Sequence, residues 1–147
     1  MKHIKEFEEY LDEGIAKKQT PDPLRAKSLV EESDEAYDIL KSYIKNMGIT
    51  DKNANHLIKN AYDILMELVR ANMHSKGFSS SGKGGHEAEV SFLRTMRFSE
   101  NDVEFADTLR YFRNGILYYG KKLGKEYAQK VLGFLDKIYP ALKKRLP

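Results

Sequence analysis

The chain contains no cysteine among its 147 residues, and it has no long run of apolar residues. The absence of cysteine excludes disulfides and thiolate metal sites, and it agrees with a reducing compartment such as the cytoplasm. No stretch approaches the roughly 18 consecutive apolar residues that a membrane-spanning helix needs. The N-terminal stretch is highly charged and lacks the apolar centre of a signal peptide. We therefore expect a soluble cytoplasmic protein with no membrane partner.

The composition that remains is that of a globular protein. Apolar residues make up 41% of the chain and charged residues 32%, which is typical of a water-soluble fold and not of a disordered one. The length is that of one ordinary domain and is sufficient to bury a core without disulfides. We predict a single domain that covers residues 1–147.

Apolar residues recur at steps of three and four along nearly the whole chain, which is typical of amphipathic helices, and no strand alternation is found. The only long loop is the Gly/Ser-rich segment 77–85. Because the helices are joined by short connections, neighbours should pack antiparallel, so we predict an all-α, up-and-down bundle of five to six helices. The helices are expected near residues 4–15, 20–48, 50–77, 87–97, 99–120 and 127–142.

Charge is distributed unevenly along the chain. Residues 1–109 hold 15 Lys/Arg and 20 Asp/Glu, a balance of −5, whereas residues 110–147 hold 10 Lys/Arg and 2 Asp/Glu, a balance of +8. A basic C-terminal quarter on an acidic body is a pattern that attracts phosphates. A solvated, lysine-rich helix end is the alternative interpretation.

The Gly/Ser-rich loop resembles a phosphate-binding loop only in part. Residues 77–84 follow the pattern G-x-x-x-x-G-K, but Gly84 stands where such a loop needs a serine or threonine to bind magnesium. A helix, not a buried strand, is expected before it. Two interpretations stay open, a glycine-rich anion site that uses Lys83 and His86 at a helix start, or a flexible connector.

No metal or cofactor site is expected from the histidines. His3, His56, His74 and His86 are scattered, and no two of them form a His-x-x-x-His pair, which would place two imidazoles side by side on a helix. The paired carboxylates at positions 31–32 and 34–35 are expected on a solvated helix face.

The fifth predicted helix carries the most informative pattern. A regular apolar stripe is formed by Phe105, Leu109, Phe112, Ile116 and Tyr119, and we expect all five side chains to face the core. Arg113 lies about 80° away from this stripe, on a strip that it shares with Ala106, Leu117 and Gly120. Such a strip is suited to meeting another helix. Arg113 is then either a buried salt-bridge partner or a fork of donors for a phosphate or carboxylate at an interface, with Arg110 beside it.

The arrangement resembles the HEPN family, the higher-eukaryote and prokaryote nucleotide-binding domain. These small helical bundles carry an arginine, usually followed by a polar residue and then, a few residues further on, a histidine on their penultimate long helix. Arg113-Asn114 matches the first half of this motif. The corresponding histidine positions are occupied by Tyr118, Tyr119 and Gly120, so the histidine is missing. The order and length of the predicted helices agree with the family over most of the chain.

The resemblance implies a homodimer in which the Arg-Asn helices face one another across a two-fold axis. Two copies of Arg113 and Tyr119 would then share one cleft as candidate catalytic residues. It also implies RNA as a ligand, since many members are metal-independent ribonucleases that pair with a small nucleotidyltransferase as toxin and antitoxin. In such a site the arginine stabilises the phosphate and the histidine helps to activate the 2′-hydroxyl.

The missing histidine favours binding over cleavage, because a phenol is a poor general base at neutral pH. Our hypothesis is a HEPN-like homodimer that binds RNA or a nucleotide phosphate. Tyr118 would stack a base and Asn114 would position a phosphate. The remaining candidate phosphate ligands are Arg110, Arg113, Lys83 and His86. If the loop of His86 reaches the cleft, this residue would supply the imidazole that the Arg-Asn helix lacks. The alternative hypothesis is a non-catalytic helical adaptor that binds another protein.

Overall fold

A computed structural model describes residues 3–147, and helices account for 72% of the chain. The predicted all-α helical bundle is confirmed. The six helices of the described part are α1 (Phe7–Asp12), α2 (Pro23–Met47), α3 (Ala54–Lys76), α4 (Gly85–Thr95), α5 (Glu100–Tyr119) and α6 (Lys125–Lys143). Two short strands accompany them, β1 (Ala16–Lys18) and β2 (Phe78–Ser80).

Helix α3 is the centre of the bundle. Thirteen of its 23 residues are buried, so the helix is apolar over most of its circumference and has to be surrounded by other elements. It packs against α2, α4, α5 and α6. All eight of its predicted inward residues are buried: Ala54, Leu57, Ile58, Ala61, Leu65, Leu68, Val69 and Met73.

Helices α2 and α6 are joined by two reciprocal sets of polar contacts on their surfaces. The hydroxyl of Tyr37 on α2 donates to Asp136 on α6, and the hydroxyl of Tyr139 on α6 donates to Asp34 on α2. The two tyrosine rings lie 4.3 Å apart between these sites. A lysine one turn beyond each tyrosine completes the pattern, Lys41 Nζ at 2.9 Å from Asp136 Oδ2 and Lys143 Nζ at 2.6 Å from Asp34 Oδ2.

The expectation that the chain has no strands was wrong at two places. Strand β1 follows Gly14, whose φ of +76° comes just after α1 ends, and it pairs antiparallel with β2 inside the predicted Gly/Ser loop. Three-residue strands are too short to show a period-two pattern. A Cβ at Gly77 would come within 2.7 Å of the Gln19 carbonyl oxygen, so the close approach of the two segments requires glycine there.

The helix starts differ from the predictions by up to a few residues. Asp22, not Thr20, caps α2 by accepting a hydrogen bond from the Arg25 amide, and α3 begins only at Ala54. The predicted start of α5 is confirmed, because Ser99 Oγ accepts from the Asp102 amide at 3.2 Å. Within residues 3–147, no helix combines the length and the apolar character that crossing a membrane demands.

Candidate functional site

Arg113 forms a cross-link between α5 and the central helix. Its Nη2 lies 3.1 Å from Oδ1 of Asp63 on α3, and its guanidinium lies 5.5 Å from the centre of the Tyr62 ring. The arginine side chain is 23% exposed, and its Nε is buried without a hydrogen-bond partner among residues 3–147. Of the two roles that the sequence left open, the structure therefore contains the salt bridge. Because Nε is buried, the donating capacity that is left for a ligand lies in the Nη groups of the guanidinium.

Tyr62 lies beneath this cross-link and is almost fully buried. Its hydroxyl has no hydrogen-bond partner in the described part of the chain. Burial raises the pKa of Tyr62, and so does the charge of Glu89, whereas Arg110, Arg70 and Arg113 act in the opposite direction. Three arginines and one glutamate therefore act electrostatically on one buried phenol where α3, α4 and α5 meet. Tyr62 was not among the predicted site residues, because in the sequence its position on α3 is indistinguishable from that of an ordinary core residue.

His86 is held by a buried carboxylate at the start of α4. Its Nδ1 lies 3.2 Å from Oε1 of Glu89, and Oε2 of the same carboxylate lies 2.7 Å from Nε of Arg70. The Glu89 side chain is only 7% exposed, whereas that of His86 is 56% exposed. The imidazole is thus oriented by an acid one turn along its own helix. The i, i+3 spacing of His86 and Glu89 could have indicated their contact from the sequence. The contact of Arg70 with Glu89 could not be predicted in this way, because the two residues are 19 positions apart on different helices.

Arg110 and Lys83 come together in a second place. They line a pocket of about 530 Å³ between α1, α4 and α5, together with the exposed Tyr111. Arg110 is already engaged there by two acids, Asp107 at 2.8 Å from its Nε and Glu87 at 3.0 Å from its Nη1. Its positive charge is therefore largely compensated. Of the two cations, Lys83 is the one without an ion-pair partner in residues 3–147.

The last turns of α5 extend beyond the core. Leu109 is the last fully buried residue of the helix, and the apolar stripe is only partly covered after it. Tyr119 was expected to face inward, and this was wrong, because its side chain is 87% exposed. Tyr118 is 73% exposed and Leu117 is 45% exposed. Helical spacing sets the direction of a side chain, but it does not tell whether another helix covers that position. The last residue of the stripe points along the apolar face and still lies in solvent. Asn114 is half-buried.

The chain reverses direction directly after these residues. The carbonyl of Gly115 accepts hydrogen bonds from the amides of Gly120 and Lys121, and Gly120 adopts a φ of +64° that favours glycine. Asn55 at the start of α3 then binds the connection on both sides, at 2.9 Å from the Lys121 carbonyl and 2.8 Å from the Leu123 amide. This places the end of α5 beside the start of α3.

Six lysines meet at this end of the bundle, where α2 and α5 end and α3 and α6 begin. We name it the lysine-rich end. The Asp51 side chain ties the α2–α3 connection to the first residue of α6, since its Oδ1 lies 2.8 Å from the Lys125 amide. Within residues 3–147 none of the six side chains forms an ion pair. They are Lys45, Lys52, Lys59, Lys121, Lys122 and Lys125. Lys59 is half-buried, and the other five are exposed.

The predicted site residues therefore occupy four separate environments. Arg113 is paired with α3, His86 is held at the start of α4, and Arg110 with Lys83 faces α1. Tyr118 and Tyr119 project from the lysine-rich end. None of the six lysines was a predicted site residue, because they come from three helices and two connections that only the fold brings together.

One further group of potential ligands is found on the surface. Ligand atoms of His3, Glu100 and Glu104 lie within 4.8 Å of one another, and all three residues are exposed. Glu100 already forms an ion pair with Arg94, which lowers the pKa of its carboxyl group. The arrangement is accounted for as a surface charge cluster.

No protein-family model matches the chain, and no curated protein or solved structure matches it. The function must therefore be argued from the side chains and their surroundings.

Proposed function

We propose that the chain is a HEPN-like homodimer that binds RNA or a nucleotide phosphate at its lysine-rich end. The observation that carries this proposal is the position of Tyr118 and Tyr119. Two highly exposed aromatic rings project from α5 at the same end of the bundle as six lysines that form no ion pair in residues 3–147.

The two kinds of side chain act on different parts of a nucleic acid. Lysines without acidic partners attract the phosphate backbone, and binding them releases condensed counterions. Exposed tyrosine rings stack on unpaired bases, which contributes about 1–3 kcal/mol per base. Acids at this end are few, chiefly Asp51 and Glu126, and Asp51 is engaged with the Lys125 amide. Because bases are accessible for stacking only where they are unpaired, single-stranded RNA is the favoured ligand.

Arg113 and Asn114 lie next to this surface on α5. Arg113 reaches a phosphate either through the donors that Asp63 leaves free or by exchanging Asp63 for the phosphate. The pairing of two α5 helices is supported by the exposed Leu117. A nucleotidyltransferase partner, and with it a toxin–antitoxin role, follows from the family resemblance alone.

We assign binding and not cleavage to this surface. Helix α5 carries no histidine. His86, the candidate replacement, has its Nδ1 engaged by Glu89 on α4, and no contact within residues 3–147 connects it with Tyr118 or Tyr119. The histidine that does lie at the lysine-rich end is His56 in the first turn of α3, and its Nε2 is engaged with the Asn60 amide nitrogen at 3.0 Å.

The test compares two triple variants with the same change in charge. Lys121→Gln/Lys122→Gln/Lys125→Gln removes three lysines from the lysine-rich end, and Lys17→Gln/Lys18→Gln/Lys27→Gln removes three exposed lysines from the opposite end. Binding of a fluorescent single-stranded RNA is measured over a salt series. We expect the first variant to bind at least about tenfold more weakly, with a shallower salt dependence by roughly 0.7 per lost phosphate contact. Equal losses in both variants would show that only net charge matters.

The adaptor alternative is favoured by the same exposed apolar residues. Leu117, Tyr118 and Tyr119 would then form a contact with another protein instead of a base-stacking surface. If the wild type binds neither single-stranded RNA nor a nucleotide at low salt, this alternative replaces the RNA proposal. A monomer at tens of micromolar in sedimentation would remove the homodimer.

A further inference from the structure

A separate pocket of about 300 Å³ lies in the groove between α2 and α3. Its walls are mainly apolar. Ala36, Ile39, Leu40 and Tyr43 come from α2, and Ile64 comes from α3. Ile39 is 70% exposed at the rim. The size suits a small organic group or one long side chain, and not a whole nucleotide.

One side of the pocket is polar and comes from the central helix. His56, Asn60, Asp63 and Glu67 line it, and their spacing of three or four residues puts them on one face of α3. His56 Nε2 and the Asn60 amide nitrogen satisfy each other at 3.0 Å. Asp63 Oδ1 is engaged by Arg113. These three side chains therefore have partners.

Glu67 differs from the other three polar residues of this pocket. Its Oε2 is buried and has no hydrogen-bond donor within residues 3–147. Burial raises the pKa of Glu67, and the nearby charges of Glu32 and Asp63 raise it further, whereas Arg70 and Arg25 act in the opposite direction. A carboxylate oxygen that has no donor and lies near a second carboxylate is satisfied most strongly by a positively charged hydrogen-bond donor.

We infer that this pocket binds an alkylguanidinium or alkylammonium group. The cationic head pairs with the Glu67 carboxylate on the polar side of the pocket, and the aliphatic chain lies along Ile39, Leu40 and Ile64. Such a group comes from two sources, a free organic cation or a basic side chain of a second copy of this chain. The inference does not depend on RNA binding, since the pocket is lined by none of the lysines of the lysine-rich end.

The test titrates n-butylguanidinium into the full chain and follows the Ile39 and Ile64 methyl signals by NMR. We expect saturable shifts at both methyls with a dissociation constant on the order of 1 mM, as the small size of the probe allows. N-butylurea, a neutral analogue of the same shape, should not bind measurably. Glu67→Gln should weaken n-butylguanidinium by about tenfold or more, because a charge-assisted hydrogen bond is lost. Glu104→Gln, an exposed acid on α5, is the control and should change nothing.

Equal binding of the urea and the guanidinium would overturn the inference, as would wild-type affinity in Glu67→Gln. Sedimentation with and without n-butylguanidinium identifies the source. Dissociation of a dimer by the probe assigns the group to a second copy, and an unchanged sedimentation coefficient assigns it to a free cation. RNA binding by Glu67→Gln is measured in parallel. An unchanged RNA affinity beside a failed titration rejects the pocket and leaves the proposed function standing.

Discussion

Arg113 on α5 and Asp63 on α3 form an ion pair across the groove between their helices, with 3.1 Å between Nη2 and Oδ1. The aspartate side chain is 49% exposed, so the pair is accessible to solvent and contributes little to stability. The same pair holds the guanidinium over the Tyr62 ring. An acid that is weakly bound and accessible can be replaced by a phosphate, so Asp63 restrains the residue that the family resemblance assigns to phosphate binding.

The first prediction follows from this restraint. In Asp63→Asn the guanidinium of Arg113 loses its anionic partner, and we expect single-stranded RNA to bind about two- to fivefold more tightly. Stability should fall by no more than about 1 kcal/mol, as for other exposed pairs. Fluorescence anisotropy and urea unfolding measure the two effects. Glu31→Gln, an exposed acid on α2, removes the same charge elsewhere; a similar gain in that variant would mean that Arg113 is not involved.

The helical pattern predicted burial well where neighbours surround the helix, and poorly where they do not. All eight predicted inward residues of α3 are buried because four other helices pack around that helix. On α5 the same spacing placed Tyr119 inward, although the core ends near Leu109. The partner of Arg113 was equally out of reach, because Asp63 lies 50 residues away and a helical period contains no information on which helix comes alongside. The lysine-rich end required the same tertiary knowledge.

The second prediction concerns the buried phenol. Tyr62 has a hydroxyl without a partner among residues 3–147, and an unsatisfied buried polar group costs about 1–3 kcal/mol. We expect Tyr62→Phe to leave the fold unchanged and to raise the free energy of unfolding by about 1 kcal/mol. Tyr139→Phe is the matched control, since its hydroxyl donates to Asp34, and this variant should lose about 1 kcal/mol. Urea denaturation distinguishes the two; a loss of stability in Tyr62→Phe would indicate an acceptor for its hydroxyl.

The third prediction concerns alkaline pH. Burial and hydrogen bonding to Asp136 and Asp34 raise the pKa values of Tyr37 and Tyr139 above 10. The folded state therefore keeps protons that the unfolded state loses, so this stabilisation is complete below about pH 10 and is lost as the pH rises further. We expect the free energy of unfolding to fall above pH 10, and to fall less steeply in Tyr37→Phe/Tyr139→Phe. Guanidinium unfolding between pH 8 and 11 checks this.

Tyr62 and Tyr127 also have raised pKa values because of burial, to about 12 for Tyr127. They contribute to the same alkaline decline, so the double variant should reduce the slope without removing it. Leu117→Ala, an exposed substitution that alters no titrating group, is the control. An identical slope in wild type and double variant would contradict the role of the two reciprocal contacts.

The last prediction concerns Glu67 and the stability of the empty pocket. Burial raises the pKa of its carboxyl group, so the folded state binds more protons than the unfolded state at pH values above the unfolded pKa near 4.5. Its contribution to stability is therefore greatest below that value and declines as the pH rises through the folded pKa. At pH 7 the charged carboxylate is a cost, and Glu67→Gln should raise the free energy of unfolding by up to about 1 kcal/mol. The gain should vanish near pH 4, where the wild-type carboxyl is protonated, and urea unfolding at both pH values measures it.

The same substitution should weaken cation binding, so Glu67 would strengthen ligand binding and at the same time lower the stability of the fold without ligand. A stability gain of equal size at both pH values would mean that the glutamine side chain improves packing and that the charge of Glu67 is not the cause.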